Sequence, residues 1–167
     1  RCIANYEKVI EFCPYPIERV EIPFEGVEPQ CNFHMVPGKP KAPTVIFIPG
    51  CDMTKELYPE PQINHAVQRG MHLLVMDGPG QGMSNLRGIK LTADNYERAV
   101  IAVAKWLQGR KEVDGDKISV FSQSMGSHWG LGVAAFGDPI IKANVGVWAS
   151  YLDKYYILDT FSPRYKQ

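Results

Sequence analysis

The chain has 167 residues, of which 45% are hydrophobic and 11% aromatic, and this is the size and apolar content of one packed domain. Eighteen Lys and Arg balance eighteen Asp and Glu, so a net charge of zero argues against a nucleic-acid or anionic-membrane surface. The longest apolar runs, at residues 44–48 and 73–76, are far shorter than the ~20 residues of a membrane-spanning helix, and we expect a soluble, cytoplasmic protein.

The first segment predicts a helix followed by a β-hairpin. Residues 1–16 carry apolar side chains at helical spacing until two prolines end the pattern, which is typical of the end of an N-terminal helical segment. Residues 17–24 and 30–36 have the composition of strands and are separated by a short turn. We therefore expect two paired strands at the start of a core domain that extends from 17 to 150.

Four segments of strand length follow, and the first two are continuous apolar runs. A run that is apolar on both faces belongs inside a covered, parallel sheet. The four segments are residues 45–48, 73–76, 118–121 and 141–148. They predict the centre of a mostly parallel sheet.

Helical patterns separate these strands. One pattern covers residues 62–69, and Thr92 is placed to cap a second helix whose apolar residues, through Leu107, fall on one face. A third helix is expected to run to about Phe136. Strands that alternate with helices after a leading hairpin predict an α/β three-layer sandwich, with ligands bound at the carboxyl ends of the strands.

The strongest chemical signal is Ser-Gln-Ser-Met-Gly at residues 122–126, between a predicted strand and a predicted helix. A serine on such a sharp turn has its hydroxyl pushed above the sheet, and small neighbours allow the close backbone packing. Ser124 occupies this position and is the candidate nucleophile, although Ser122 stands where the usual Gly-x-Ser-x-Gly pattern has its first glycine. A serine that only caps the helix is the alternative.

A second signal is Pro-Gly-Cys-Asp-Met at residues 49–53, after the first parallel strand. The backbone N–H groups of Cys51 and Met125 would converge on a developing oxyanion, and Asp52 would line the substrate pocket. A simple turn is one alternative. A cysteine nucleophile at Cys51 is another, but no histidine lies near it in sequence.

The third signal is Asp-Gly-Pro-Gly-Gln-Gly at residues 77–82, after the second parallel strand. It lacks the Lys-Ser/Thr of a phosphate-binding loop and the glycine spacing of a dinucleotide site. We expect a tight loop that closes one side of a pocket instead of a nucleotide site.

These three segments together resemble the α/β-hydrolase superfamily, and the similarity covers residues 17–148. With Thr-Lys-Glu at 54–56, they look like the branch of 2,6-dihydroxypseudooxynicotine hydrolase, the fungal polyketide-shortening hydrolases and the fermentation-respiration-switch type esterases. The resemblance implies a serine hydrolase that acts on an ester or on a carbon–carbon bond beside a ketone. It also implies a cap inserted after the sixth strand, and residues 151–167 look like the start of that cap.

A serine nucleophile needs a general base that is oriented by an acid. The resemblance implies the order Ser, Asp or Glu, His, yet all histidines come before the last predicted strand: His34, His65, His72 and His128. We expect these four to be structural. The Asp and His partners, the C-terminal strands and most of the cap are therefore expected outside this sequence, and Asp153 is a candidate pocket residue.

Three functional interpretations stay open: a serine hydrolase of small esters or ketones, an inactive α/β-hydrolase-like module that binds a ligand, and an acyltransferase on the same scaffold. Aromatic residues after 150 suit either an aromatic-lined pocket or packing of the cap: Tyr151, Tyr155, Tyr156 and Phe161. The capped relatives also suggest a homodimer.

The cysteines show neither the paired spacing of a zinc site nor the density of a disulfide framework. They are Cys2, Cys13, Cys31 and Cys51. We expect free thiols, no metal and no cofactor.

Overall fold

The computed structural model describes residues 2–148. The predicted cap segment at 151–167, with Asp153, lies outside the described residues, and the domain boundaries at 16 and 150 stay predictions. The strands are β1 Ile17–Glu21, β2 Gln30–His34, β3 Ala42–Ile48, β4 His72–Met76, β5 Val113–Gln123 and β6 Ile141–Val147. The helices are α1 Cys2–Phe12, α2 His65–Gln68, α3 Gly82–Leu86, α4 Asn95–Gln108 and α5 Met125–Phe136, with a 3₁₀ turn at Pro61–Ile63.

The strands form one sheet in the order β1-β2-β4-β3-β5-β6. The predicted hairpin is present, because β1 and β2 pair antiparallel, and β2 also runs antiparallel to β4. The pairs β3 with β4, β3 with β5 and β5 with β6 are all parallel. The mostly parallel sheet of the predicted fold class is therefore confirmed, and the carboxyl ends of four strands meet at one edge.

Side chains alternate between two apolar layers on opposite faces of the sheet. On one face, Ile46 and Leu74 pack in the main core with Val100 of α4. On the other face, Phe47 packs with Leu73 in a smaller cluster. Since both faces of the central strands are covered, β3 and β4 read as continuous apolar runs.

The predicted helix at 62–69 is divided in two. Asn64, which is 1% exposed, interrupts it, and its Oδ1 accepts hydrogen bonds from the backbone N–H groups of Ala66 and Val67, each at 3.2 Å. This is the N-cap arrangement, so α2 begins only after Asn64. The prediction was wrong here because a capping asparagine lay inside the apolar pattern.

Two other expected boundaries differ. Thr92 is not the cap of α4, because the Asn95 side chain instead accepts from the Thr92 N–H at 2.9 Å and the helix begins at Asn95. The strand predicted at 118–121 is longer, because β5 begins at Val113 and pairs with β3 through a register shift between Ala42 and Thr44. Within residues 2–148, no helix combines the length and apolarity needed to cross a membrane.

Candidate active site

Ser124 lies on the sharp turn between β5 and α5, with φ 54° and ψ −128°. A residue with a side chain rarely adopts positive φ, and such strain costs roughly 1–3 kcal/mol and concentrates at functional sites. The surrounding bonds hold it in place. The Ser124 N–H donates to the Val147 carbonyl at 2.9 Å, and the Ser127 hydroxyl donates to the carbonyls of Val147 at 2.9 Å and Ser122 at 3.1 Å.

Glycines bring the turn and the loop after β3 into contact. A Cβ added to Gly126 would lie 2.4 Å from the Ile48 carbonyl oxygen, so only glycine allows α5 to start this close to β3. A Cβ on Gly50 would lie 3.2 Å from the Cβ of Ser124. The segment 49–53 therefore packs directly against the candidate nucleophile.

The departure from the usual motif at Ser122 is accommodated by two other glycines. The Ser122 hydroxyl donates to the Val145 carbonyl at 3.2 Å. A Cβ on Gly130 would lie 2.3 Å from this hydroxyl oxygen, and one on Gly146 would lie 3.6 Å from it. The space for the Ser122 side chain is thus provided by a glycine on α5 and another on β6.

The loop after β3 holds the expected oxyanion donor and the expected pocket acid. Cys51 and Asp52 are exposed, and Met125 is half-buried in the first turn of α5. Burial, followed by the charge of Asp52, raises the pKa of the Cys51 thiol. Among residues 2–148, no imidazole hydrogen-bonds this thiol, and these two facts argue against a cysteine nucleophile.

Asp77 ties the loop after β4 to the loop after β3. Its Oδ1 accepts the Lys55 backbone N–H at 2.8 Å, and its Oδ2 accepts the Lys55 ammonium at 2.8 Å and the Met83 N–H at 2.9 Å. Gly82 has φ +41°, and a Cβ there would lie 2.2 Å from Oδ2 of Asp77. The glycine that ends the 77–82 segment is therefore required by the buried carboxylate.

Glu56 is the second acid of this cluster. Its carboxylate lies 2.7 Å from the Lys55 ammonium. Burial alone would raise the pKa of Glu56, but the hydrogen bond and charge of Lys55, with a bond from Thr54, hold it below its ordinary value. Glu56 therefore faces Lys55 as a carboxylate near neutral pH.

Gln81 connects the same two loops by a different route. Its Nε2 donates to the Gly50 carbonyl at 2.7 Å and approaches the Pro49 carbonyl at 3.4 Å, while its Oε1 accepts the Tyr96 hydroxyl. Tyr96 is fully buried and stacks on Trp129 with ring centroids 4.1 Å apart and planes 1° from parallel. A rigid aromatic pair thus supports the glutamine.

Two of the four histidines make hydrogen bonds within the core. His34 is buried with Nδ1 3.3 Å from the Tyr15 hydroxyl, and buried His72 accepts the Val36 N–H at 2.9 Å. His65 is exposed, and His128 is half-buried on α5. Of the side chains that the structure describes, none hydrogen-bonds the Ser124 hydroxyl.

Three residues that build the site were not predicted individually: Lys55, Gln81 and Tyr96. Two of them lie in segments that the sequence singled out, the Thr-Lys-Glu and Gly-Gln-Gly strings. A polar side chain between two glycines at the end of a buried strand was the available signal for Gln81. Residues 2–148 contain no group of three or more His, Cys, Asp or Glu side chains arranged to hold a metal ion.

The sheet order and the strained serine at the end of β5 define an α/β-hydrolase fold. No family model matches the chain. The chain is 30% identical over 161 residues to the 2,6-dihydropseudooxynicotine hydrolase of Paenarthrobacter nicotinovorans, covering 96% of this chain and 42% of that protein. It is 31% identical to the alpha/beta hydrolase ucsC of an Acremonium species, covering 99% of this chain and 37% of that protein.

Solved structures agree. The crystal structure of the 2,6-dihydroxy-pseudo-oxynicotine hydrolase has a TM-score of 0.83 and 29% identity, covering 98% of this chain and 45% of that one. AbyA5, at 18% identity and a TM-score of 0.75, shares the fold. The match covers 99% of this chain and 47% of the AbyA5 chain. The chain therefore has the α/β-hydrolase fold, and these relatives support the branch that the sequence motifs indicated. It spans less than half the length of these relatives.

Proposed function

We propose that this chain is the nucleophile-bearing part of a serine hydrolase, in which Ser124 attacks a small ester or a ketone. The observation that carries the proposal is the backbone of Ser124, held at positive φ on the strand-to-helix turn and packed against Gly50. The names of the relatives, which are hydrolases, support hydrolysis as the reaction. This part of the proposal needs no metal and no cofactor.

In the proposed reaction, the Ser124 Oγ forms a bond to the substrate carbonyl carbon while a general base removes its proton. The carbonyl oxygen becomes an oxyanion, which accepts hydrogen bonds from the N–H groups of Cys51 and Met125. When the substrate is an ester, collapse of this intermediate expels an alcohol. When the substrate is a ketone, collapse breaks the carbon–carbon bond, and the carbon leaving group takes up a proton. Water then cleaves the acyl-serine and restores the hydroxyl.

The base and its acid are proposed to come from residues beyond those described. This is compatible with the chain spanning 42% of its Paenarthrobacter relative, which leaves most of that protein's length unmatched. Asp52, which is exposed in the loop after β3, would line the mouth of the pocket, and Asp153 would join it from the cap. Cleavage of a carbon–carbon bond is the finer proposal, drawn from the branch that the chain resembles.

A fluorophosphonate probe tests the nucleophile, because it phosphonylates activated serines only. The natural polypeptide that carries these residues would be treated with the probe, and the adduct located by intact mass and peptide mapping. We expect one adduct on Ser124, lost in Ser124→Ala and retained in Ser119→Ala, a matched change on β5, the strand that precedes Ser124. A folded protein without an adduct would instead favour the inactive binding module. Product transfer to an alcohol in preference to water would identify an acyltransferase.

A further inference from the structure

The peptide bond between Gly50 and Cys51 carries the Gly50 carbonyl on one side and the Cys51 N–H on the other. In a trans peptide the C=O and N–H groups point in opposite directions, so fixing the carbonyl of Gly50 also fixes the N–H of Cys51. The carbonyl accepts the Gln81 Nε2 at 2.7 Å and the Met53 N–H at 3.1 Å. The Cys51 N–H is therefore directed away from Gln81.

Gln81 is itself prevented from reversing its amide. It is 5% exposed, and its Oε1 accepts the hydroxyl of Tyr96, which leaves Nε2 as the group that faces Gly50. Burial raises the pKa of Tyr96 well above its ordinary value, which favours the protonated hydroxyl that donates to Gln81. A Cβ on Gly78 would lie 2.3 Å from the Tyr96 ring, and Trp129 stacks on that ring with the centroids 4.1 Å apart.

We infer that Gln81 is a positioning residue that sets the direction of the Cys51 N–H, with Tyr96 as the residue that orients Gln81. This inference rests on the proposed function, in which that N–H stabilises the oxyanion. Without the Gln81 donor, the Gly50 carbonyl keeps only the longer bond from Met53, and the peptide can rotate. A rotated peptide would turn its carbonyl oxygen toward the oxyanion, which it would repel.

A hydrogen bond to the carbonyl has a second effect. It polarises the peptide, which strengthens the N–H of the same unit as a donor. Only a side chain that donates can do this, because the neighbouring Pro49 and Gly50 oxygens are both acceptors. A carboxylate at position 81 would accept the Tyr96 hydroxyl equally well but would face these two oxygens without a proton.

Gln81→Glu, measured at alkaline pH where the buried carboxyl is ionised, is therefore the informative variant, since it keeps the shape and the Tyr96 bond and removes only the donor. In the natural polypeptide, kcat for p-nitrophenyl acetate should fall about 10- to 100-fold with KM changed less than about threefold, because removing a whole oxyanion donor costs 10²–10³. Labelling of Ser124 by the fluorophosphonate should slow by a similar factor. Gln68→Glu, the same change on the exposed face of α2, should leave both rates unchanged.

Tyr96→Phe keeps the stack on Trp129 and removes only the hydroxyl, so it tests the inference even if Gln81→Glu fails to fold. We expect a smaller fall in kcat, about fivefold, with KM unchanged. Wild-type kcat and labelling rate in a folded Gln81→Glu, or in Tyr96→Phe, would overturn the inference and leave the proposed function intact. A wild-type protein that the probe does not label would overturn both.

Discussion

The Lys55 ammonium lies 2.8 Å from the Asp77 carboxylate, with the two side chains 1% and 0% exposed. The pair joins the segment after β3, which packs against Ser124 through Gly50, to the segment after β4, whose Gln81 bonds to Gly50. Asn32 of β2 adds a bond from its Nδ2 to the Lys55 carbonyl at 3.1 Å. A buried ion pair thus holds together the loops that follow β3 and β4.

Lys55→Met should destabilise the protein by about 3–5 kcal/mol, because Asp77 and Glu56 would remain as buried charges without a cation. The free energy of unfolding, measured by urea denaturation, checks this. Lys105→Met is the control, since Lys105 is 65% exposed and lies 3.9 Å from its partner Asp138, and it should change stability by less than about 0.5 kcal/mol. Equal effects of the two substitutions would contradict a special role for the buried pair.

The fold was predictable because its signals are local. Each central strand is a short apolar run, and the elbow at Ser124 depends only on small residues within two positions of it. The boundaries that failed were set by side chains that compete for backbone donors: Asn64 interrupts one helix and Asn95 replaces Thr92 at the start of another. Apolar spacing carries no information about that competition.

The support of the candidate site was not predictable for the opposite reason. Lys55 bonds to Asp77 across 22 residues, and Gln81 bonds to Gly50 across 31. Both contacts exist only because β3 and β4 are parallel neighbours whose carboxyl ends meet. That pairing follows from the tertiary order of the strands, so the sequence indicated the loops but not which side chains join them.

Gly126→Ala should slow fluorophosphonate labelling of Ser124 and destabilise the protein by about 1–3 kcal/mol. The reason is that the added methyl group meets two backbone oxygens, those of Ile48 at 2.4 Å and Pro49 at 2.5 Å, and backbone cannot rotate away as a side chain can. Labelling rate and melting temperature measure the two effects. Gly109→Ala, where the nearest atom is 3.4 Å away and φ is −78°, should be neutral or slightly stabilising.

Stability should fall as the pH drops from about 6.5 to about 4, because burial lowers the pKa of His34 from its ordinary 6.5 to about 4. Between these values the unfolded chain binds a proton that the folded protein excludes, so the free energy of unfolding rises with pH. One such group contributes about 1.4 kcal/mol per pH unit, or about 3 kcal/mol over the window. Above pH 6.5 the contribution is fully present.

His34→Asn should flatten this dependence, because asparagine retains an acceptor for the Tyr15 hydroxyl and does not titrate. Urea denaturation at about pH 7 and about pH 4.5 gives the difference. His65→Asn, at an exposed position, should retain the wild-type slope. Burial also lowers the pKa of His72, so part of the pH dependence of the unfolding free energy should remain in His34→Asn. If His34→Asn kept the full wild-type dependence, His34 would not be the group that takes up a proton on unfolding.

The departure of this elbow from its usual pattern predicts a compensating pair of substitutions. Gly130→Ala alone should destabilise the protein by about 1–3 kcal/mol, because the new Cβ would lie 2.3 Å from the Ser122 hydroxyl oxygen and 2.9 Å from its Cβ. Ser122→Gly alone removes the bond to the Val145 carbonyl and should cost about 1 kcal/mol.

In Ser122→Gly the atoms that oppose a methyl group at position 130 are gone, and alanine is the better helix former within α5. Gly130→Ala should therefore cost less in the Ser122→Gly background than in the wild type, by at least about 1 kcal/mol, which a double-mutant cycle of unfolding free energies measures. The double variant should keep its labelling at Ser124, because the turn and its contact with Gly50 are untouched. If the two unfolding free-energy changes simply add, the Ser122 side chain is not the reason that position 130 requires glycine.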